Sequence, residues 1–362
     1  MPPFPPFGPM PDSTPATTPE FAAVRDFALS HPTSWPRDLR QVITGGTFDP
    51  PPWNIIKGPM GQRGDPAGVI TLQGQRVAAW GDITRADPVF SVTKSYIGVL
   101  AMAAFDRGLI PDLTRPVAEL VSDSHFSSPR NRQVTWLQLL QQTSEWHGSV
   151  WGIPDNVDRD RQLSPTDDPA RFNRATPLQP PGTYWDYNDA RVNALCLALT
   201  CVYRRNLGDV VAEVLPGFQD RSTWSWSGYG AASTCEVDGT PIEVVVGGGH
   251  WGGGMVTSVE LDLAFGSMIC NGGAWNGRRV LSEAALESLL APCPLQSVYG
   301  ALWWLNTERR LYPAAPASNV FATGVGMNII WVDARIQLVA VAHWLDEAAF
   351  PGFVEKVMAA TA

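Results

Sequence analysis

Lysine is scarce in this 362-residue chain. Only Lys57, Lys94 and Lys356 are present, and every other residue among the 26 basic ones is arginine. Arginine keeps its proton inside a protein, whereas a buried lysine can give it up. A chain that otherwise uses arginine therefore marks its few lysines as candidates for a neutral amine. Long apolar runs are also missing. No stretch of about 18 such residues occurs, which argues against a membrane-spanning helix. The opening Met1-Pro2-Pro3-Phe4-Pro5-Pro6-Phe7 has neither a charged n-region nor an apolar h-region. No secretory signal is read there, and the cytoplasm is the expected location. The cysteines Cys196, Cys201, Cys235, Cys270 and Cys293 are odd in number and form no C-x-x-C pair. A disulfide framework and a zinc site are both unexpected. His31, His125, His147, His250 and His343 show no H-E-x-x-H spacing, and no metal or cofactor is expected. The G-x-S-x-G elbow of an α/β-hydrolase is absent too.

What is present suits a chain with a large core. Apolar residues make up 44% and fifteen tryptophans are included. A formal charge of -9 argues against a nucleic-acid or anionic-membrane partner. The expected partner is a small molecule, with a second copy of the chain as a further option.

Taken in order, residues 1–20 are rich in Pro, Ser and Thr and are expected to be irregular. Residues 21–29 read as a short helix. Val69–Leu72 and Arg76–Trp80 flank Gln73-Gly74-Gln75 and read as a β-hairpin. An apolar helix is predicted from about Ser91 to Arg107, with Gly108 as its C-cap. The middle reads as helical with long loops, including 134–142 and 190–203 and a polar excursion at 163–181. Later segments alternate: a strand at 242–246, helices at 258–270 and 282–290, then strands at 301–305, 320–323, 328–332 and 337–343, and a closing helix near Val354. The simplest assembly is an α/β fold of two lobes. Early and late strands join in one antiparallel sheet flanked by helices, formed by 21–110 and 230–362, and 111–229 forms an inserted, mostly helical lobe.

The helix near Ser91 carries the first chemical signal. Ser91 and Lys94 are i and i+3, so their side chains share a face. The unpaired N–H groups of a helix start are donors for an oxyanion. Alone, Ser-x-x-Lys also fits an ordinary cap beside a solvated lysine. Two further patches add to it. Pro181-Gly182-Thr183-Tyr184-Trp185-Asp186-Tyr187-Asn188-Asp189 leads into the helix at Ala190, a place where a phenol can be held rigidly for proton transfer. Phe321-Ala322-Thr323-Gly324-Val325-Gly326 leaves one strand for the next, and its glycines allow close approach to the backbone. Trp136, Trp146, Trp151 and Trp251 are equally suited to walling an apolar pocket and to filling the core. Gly247-Gly248-Gly249-His250-Trp251-Gly252 matches G-x-G-x-x-G literally. It has no acidic residue about 20 positions on and no repeated βαβ units, so a dinucleotide site is set aside.

Together the three patches resemble the penicillin-recognising serine hydrolases, which include class C β-lactamases, D-Ala-D-Ala peptidases, family VIII esterases and 6-aminohexanoate-dimer hydrolase. Their ordered motifs, Ser-x-x-Lys, Tyr-x-Asn and Lys-Thr-Gly, correspond to Ser91-Val92-Thr93-Lys94, Tyr187-Asn188-Asp189 and Ala322-Thr323-Gly324. The likeness runs from about residue 66 to the C-terminus. It implies a β-lactamase/transpeptidase-like fold and acyl transfer through Ser91, with Lys94 and Tyr187 exchanging the proton and either one as principal base. It also implies that the N–H groups of Ser91 and Val325 hold the oxyanion, and that Gly324, Asp189 and Trp251 contribute to substrate binding. Two departures stand out. Asp189 replaces the usual Asn, and Ala322 replaces the Lys or His of β-lactamases and peptidases. The expected activity is hydrolysis of a small ester, amide or peptide. The alternatives are a peptidase or acyltransferase on the same scaffold, or a catalytically silent binding protein.

Overall fold

The largest sheet joins the two ends of the chain. In a computed structural model, residues 17–161 and 175–362 are described. Six antiparallel strands form this sheet, numbered here for this frame alone: β1 (Ala67–Leu72), β2 (Gln75–Trp80), β3 (Trp304–Leu305), β4 (Val320–Gly324), β5 (Asn328–Asp333) and β6 (Leu338–His343). Their spatial order is β3-β4-β5-β6-β1-β2. The early hairpin and the late strands therefore meet at β1 and β6, from Ala67 opposite His343 to Leu72 opposite Leu338. Gln73 and Gly74 both take positive φ at the hairpin turn, as a two-residue turn of this hand requires.

Successive residues along these strands serve opposite faces. Ile330 and Val332 of β5 and Val339 and Val341 of β6 join one apolar cluster. Ile329 and Trp331, and Ala340 and Ala342, join the other. The first cluster is covered by α2 (Val92–Asp106) and α4 (Val259–Cys270), the second by α1 (Pro19–Ser30) and α5 (Phe350–Ala360). A strand buried on both faces needs apolar residues throughout, which is why β5 and β6 read as nearly continuous apolar runs. The described residues of 111–229 supply no strand to this sheet. Their main helix, α3 (Asp189–Tyr203), nevertheless packs into the same cluster as α2.

Several boundaries differ from the sequence expectation. Helix α1 begins at Pro19, inside the segment expected to be irregular, because proline suits a first helical turn. Residues 1–16 of that segment lie outside the described residues. So do 162–174, which hold most of the expected polar excursion. The expected strand 242–246 is shorter and pairs as Thr240–Glu243 against Thr234–Val237. The helix expected at 134–142 is only Trp136–Leu140, closed at its start by a reciprocal capping box between Thr135 and Gln138. Among the described residues no helix is long and apolar enough to cross a membrane.

Candidate active site

Ser91 stands at the N-cap of α2, but its hydroxyl does not cap the helix. Instead the Lys94 ammonium donates to Ser91 Oγ at 2.7 Å. Phe90, just before it, has a φ of +48°. That is an uncommon conformation for a bulky residue. The surrounding fold holds Phe90 there by packing its ring against Trp35, Phe48 and Trp344, with centroids 5.7, 6.4 and 6.5 Å away. Backbone strain is thus placed immediately before the candidate nucleophile.

Lys94 is 1% exposed. Three oxygens surround its nitrogen: Ser91 Oγ at 2.7 Å, Asp189 Oδ1 at 2.7 Å and the carbonyl of Gly247 at 3.2 Å. Three acceptors match the three protons of an ammonium. Burial works to lower its pKa, but the Asp189 carboxylate, with a further contribution from Tyr187 beside it, outweighs burial and the net direction is upward. In the resting site Lys94 is therefore charged, and the neutral amine suggested by lysine scarcity is not the resting form. Losing one proton would leave a lone pair toward Ser91 while the contacts to Asp189 and Gly247 persist.

Asp189 opens α3 and is 2% exposed. Burial would raise its pKa, but Lys94, Arg161 and His250 bring it well below the usual carboxylate range. Both carboxylate oxygens are engaged with cations: Oδ1 with Lys94 and Oδ2 with Arg161 at 3.0 Å. Asp189 is the counter-ion of Lys94.

Tyr187 lies one residue before the N-cap Asn188, whose side chain accepts from the Arg191 N–H at 3.2 Å. Its ring centroid is 5.2 Å from Lys94 Nζ. A buried ion network fixes the backbone on both sides of it. Arg191 binds Glu145 at 3.0 Å, Asp186 at 3.1 Å and Asp155 at 3.3 Å. Arg159 pairs with Glu145 and, at 3.3 Å, with Asp186. The Asn188 side-chain amide donates to the Asp155 carbonyl at 2.7 Å. Tyr184, the other tyrosine of this loop, donates its hydroxyl to Asp160 at 2.6 Å. Burial first, then that carboxylate, push its pKa up to about 12.

The third patch reaches the same place. A Cβ on Gly324 would stand 2.1 Å from the Val89 carbonyl and 3.1 Å from Ser91 N. Glycine is thus required for β4 to lie against the start of α2. Val325, beyond it, is 37% exposed, and the Asn328 side chain donates to its carbonyl at 3.0 Å. Gly248, with φ +72°, brings the glycine loop behind α2, where a Cβ would stand 2.1 Å from the Phe90 carbonyl.

Trp251 does not line the site. It is fully buried and donates to the Trp53 carbonyl at 3.1 Å. Its indole packs in the core, as do those of buried Trp136 and Trp146. The aromatic wall beside Tyr187 comes from partly buried Trp185 and Trp304 and from buried Tyr299, with centroids 6.4, 5.8 and 6.1 Å away. Sequence reading also missed Arg161, His250, Asp158 and Asp49. The last three have ligand atoms within 4.8 Å of one another, a spacing that could hold a cation. Arg161 Nη2 already pairs with Asp158 and lies 3.0 Å from His250 Nε2.

Known proteins resemble this chain in sequence and in fold. The family model Beta-lactamase matches residues 75–344. The 6-aminohexanoate-dimer hydrolase of Paenarthrobacter ureafaciens is 27% identical over 282 residues, which is 71% of this chain and 66% of that protein, just under two thirds. A penicillin-binding protein homolog from Caulobacter crescentus superposes with a TM-score of 0.61 at 14% identity, covering 96% of this chain and 100% of that one. A family VIII carboxylesterase superposes with a TM-score of 0.59 at 15% identity, covering 96% and 99%. These two likenesses are of fold.

Two outcomes follow for stability. Arg191→Met strands buried carboxylates and should cost about 3–5 kcal/mol in urea unfolding. The depressed pKa of Asp189 stabilises the fold above the unfolded value of about 3.9, and that contribution is lost as pH falls through the lower folded value. The difference in unfolding free energy between the wild type and Asp189→Asn should therefore be constant from about pH 5 to 7 and shrink below about pH 4.

Proposed function

The chain belongs to the Beta-lactamase family, and on that premise we propose that it is a serine hydrolase forming an acyl-enzyme on Ser91. The observation that carries this reading is the 2.7 Å contact between Ser91 Oγ and the buried nitrogen of Lys94. That pairing fits an activated nucleophile with its base.

In the first step Ser91 Oγ attacks the substrate carbonyl carbon. The hydroxyl proton passes to the Lys94–Tyr187 pair, and the carbonyl π electrons move to oxygen. The Ser91 and Val325 N–H groups would stabilise this oxyanion, each donor worth about 2.7–4 kcal/mol at the transition state. Collapse of the intermediate expels the alcohol or amine, which takes the proton. Water then repeats the sequence on the acyl-enzyme and restores the serine. In the resting state Lys94 is an ammonium, so it must first lose one proton to solvent water before the pair can accept the serine proton. Tyr187, with its ring beside Lys94, is the partner that can relay it.

The substrate is a small ester, amide or peptide with an uncharged acyl group. Ala322 offers no cation for a carboxylate, and both oxygens of Asp189 are occupied. Trp185, Tyr299 and Trp304 around Tyr187 favour an apolar group there. The relative named 6-aminohexanoate-dimer hydrolase supports including amides. In this reading residues 111–229 are a helical lobe that brings Tyr187 to the nucleophile.

A fluorophosphonate should label Ser91, as located by mass spectrometry. Ser91→Ala should reduce p-nitrophenyl ester hydrolysis to background, and Tyr187→Phe should lower kcat by about 10²–10⁴-fold. Label on another serine, or full hydrolysis by Ser91→Ala, would overturn the assignment. Nitrocefin should be turned over weakly or not at all; efficient turnover would refute the uncharged-substrate reading.

A further inference from the structure

We propose that Arg161 is a positioning residue for the reaction, sharing the Asp189 carboxylate with Lys94 and so setting how readily Lys94 gives up its proton. The inference rests on the reading of Ser91 and Lys94 given above.

The geometry forms a closed ring. Asp189 divides its two oxygens between two cations, with Lys94 Nζ 2.7 Å from Oδ1 and Arg161 Nη1 3.0 Å from Oδ2. Arg161 is held from its other side by Asp158 and by His250 Nε2 at 3.0 Å. Asp158 in turn accepts the backbone N–H of Asp189 at 2.7 Å through Oδ2. Arg161 thus fixes the Asp189 carboxylate in orientation as well as charge. Asp158 is fully buried, and the Arg161 side chain is 16% exposed.

The substitution at this position explains why such a residue is needed. An amide opposite Lys94 would leave the amine free to lose its proton, whereas a carboxylate holds the proton on. A second cation on the same carboxylate weakens that hold by drawing on the same negative charge. A guanidinium suits the task because it stays charged at all working pH values and offers several donors in a fixed fork.

Other ionisable groups face this cluster from every side. His250 approaches Asp189 Oδ2 with Nδ1 at 3.6 Å and Asp49 with Nε2 at 2.6 Å. Burial first, then Arg161, hold its pKa below the usual histidine value. Tyr187 faces Lys94 through its ring. Cys196 of α3 and Tyr229 are buried groups whose pKa values burial pushes up, so both stay neutral near pH 7.

The test is the pH dependence of kcat/KM for a p-nitrophenyl ester in four proteins: wild type, Arg161→Met, Asp189→Asn and the double variant. Arg161→Met should move the midpoint of the acid limb upward by about one pH unit, a tenfold loss on that limb. Asp189→Asn should move it downward. In the Asp189→Asn background the Arg161→Met shift should fall to less than half. Arg161→Lys, which keeps the charge, should keep most of the wild-type position. Arg161→Gln removes the charge and serves in place of Arg161→Met if the latter does not fold.

An unmoved limb in the uncharged variants would overturn the proposal. So would an equal shift in both backgrounds, which is the result expected if the limb belongs to His250. Hydrolysis that survives Ser91→Ala would instead sink the underlying assignment, so the two failures are distinguishable.

Discussion

Everything in the site turns on where one buried ammonium finds its oxygens. Lys94 is out of water, and an unpaired charge there would be costly. Its three acceptors come from its own helix, from the start of α3 and from the glycine loop at Gly247, separated by 95 and 153 positions from Lys94 at the farther two. None of these segments can move without withdrawing an acceptor from the charge. The ion pair therefore locates Asp189, the first residue of α3, and with it Tyr187 two positions earlier. The same requirement draws the glycine loop against the back of α2.

Much of this was visible in the chain itself, because the signals are local. The apolar runs of β5 and β6, the Gln73-Gly74 turn and the helix following Pro88 each depend on neighbours in sequence. Ser91, Lys94 and Tyr187 were legible as a set only through their order and resemblance to a family. The structure brings Lys94 onto both Ser91 and the Tyr187 ring.

The residues missed have no local signature. Nothing in the sequence around Arg159, Arg161 and Arg191 marks them out, and only tertiary contact makes them buried or partly buried partners of Glu145, Asp186 and Asp189. The ion pairs of Asp189 were hidden for a related reason. Its position suggested a group facing substrate, but a carboxylate next to a buried ammonium and a guanidinium is claimed by them first. Trp251 shows the same limit, since a tryptophan in a glycine loop reads equally well as pocket wall and as core. In the fold its indole is buried and its N–H donates to the Trp53 carbonyl.

The seam between β1 and β6 has a consequence for how the molecule comes into being. Residues 67–72 find their partners only at 338–343, so the sheet cannot close until residue 343 has left the ribosome. Until then the hairpin's open edge and the apolar side of α2 lack their final cover. Pairings between such distant segments are slow to form, because a long loop must be closed before any contact rewards it. The arrival of residues 320–343 therefore decides when the sheet closes and when Ser91 acquires the strand that lies against it.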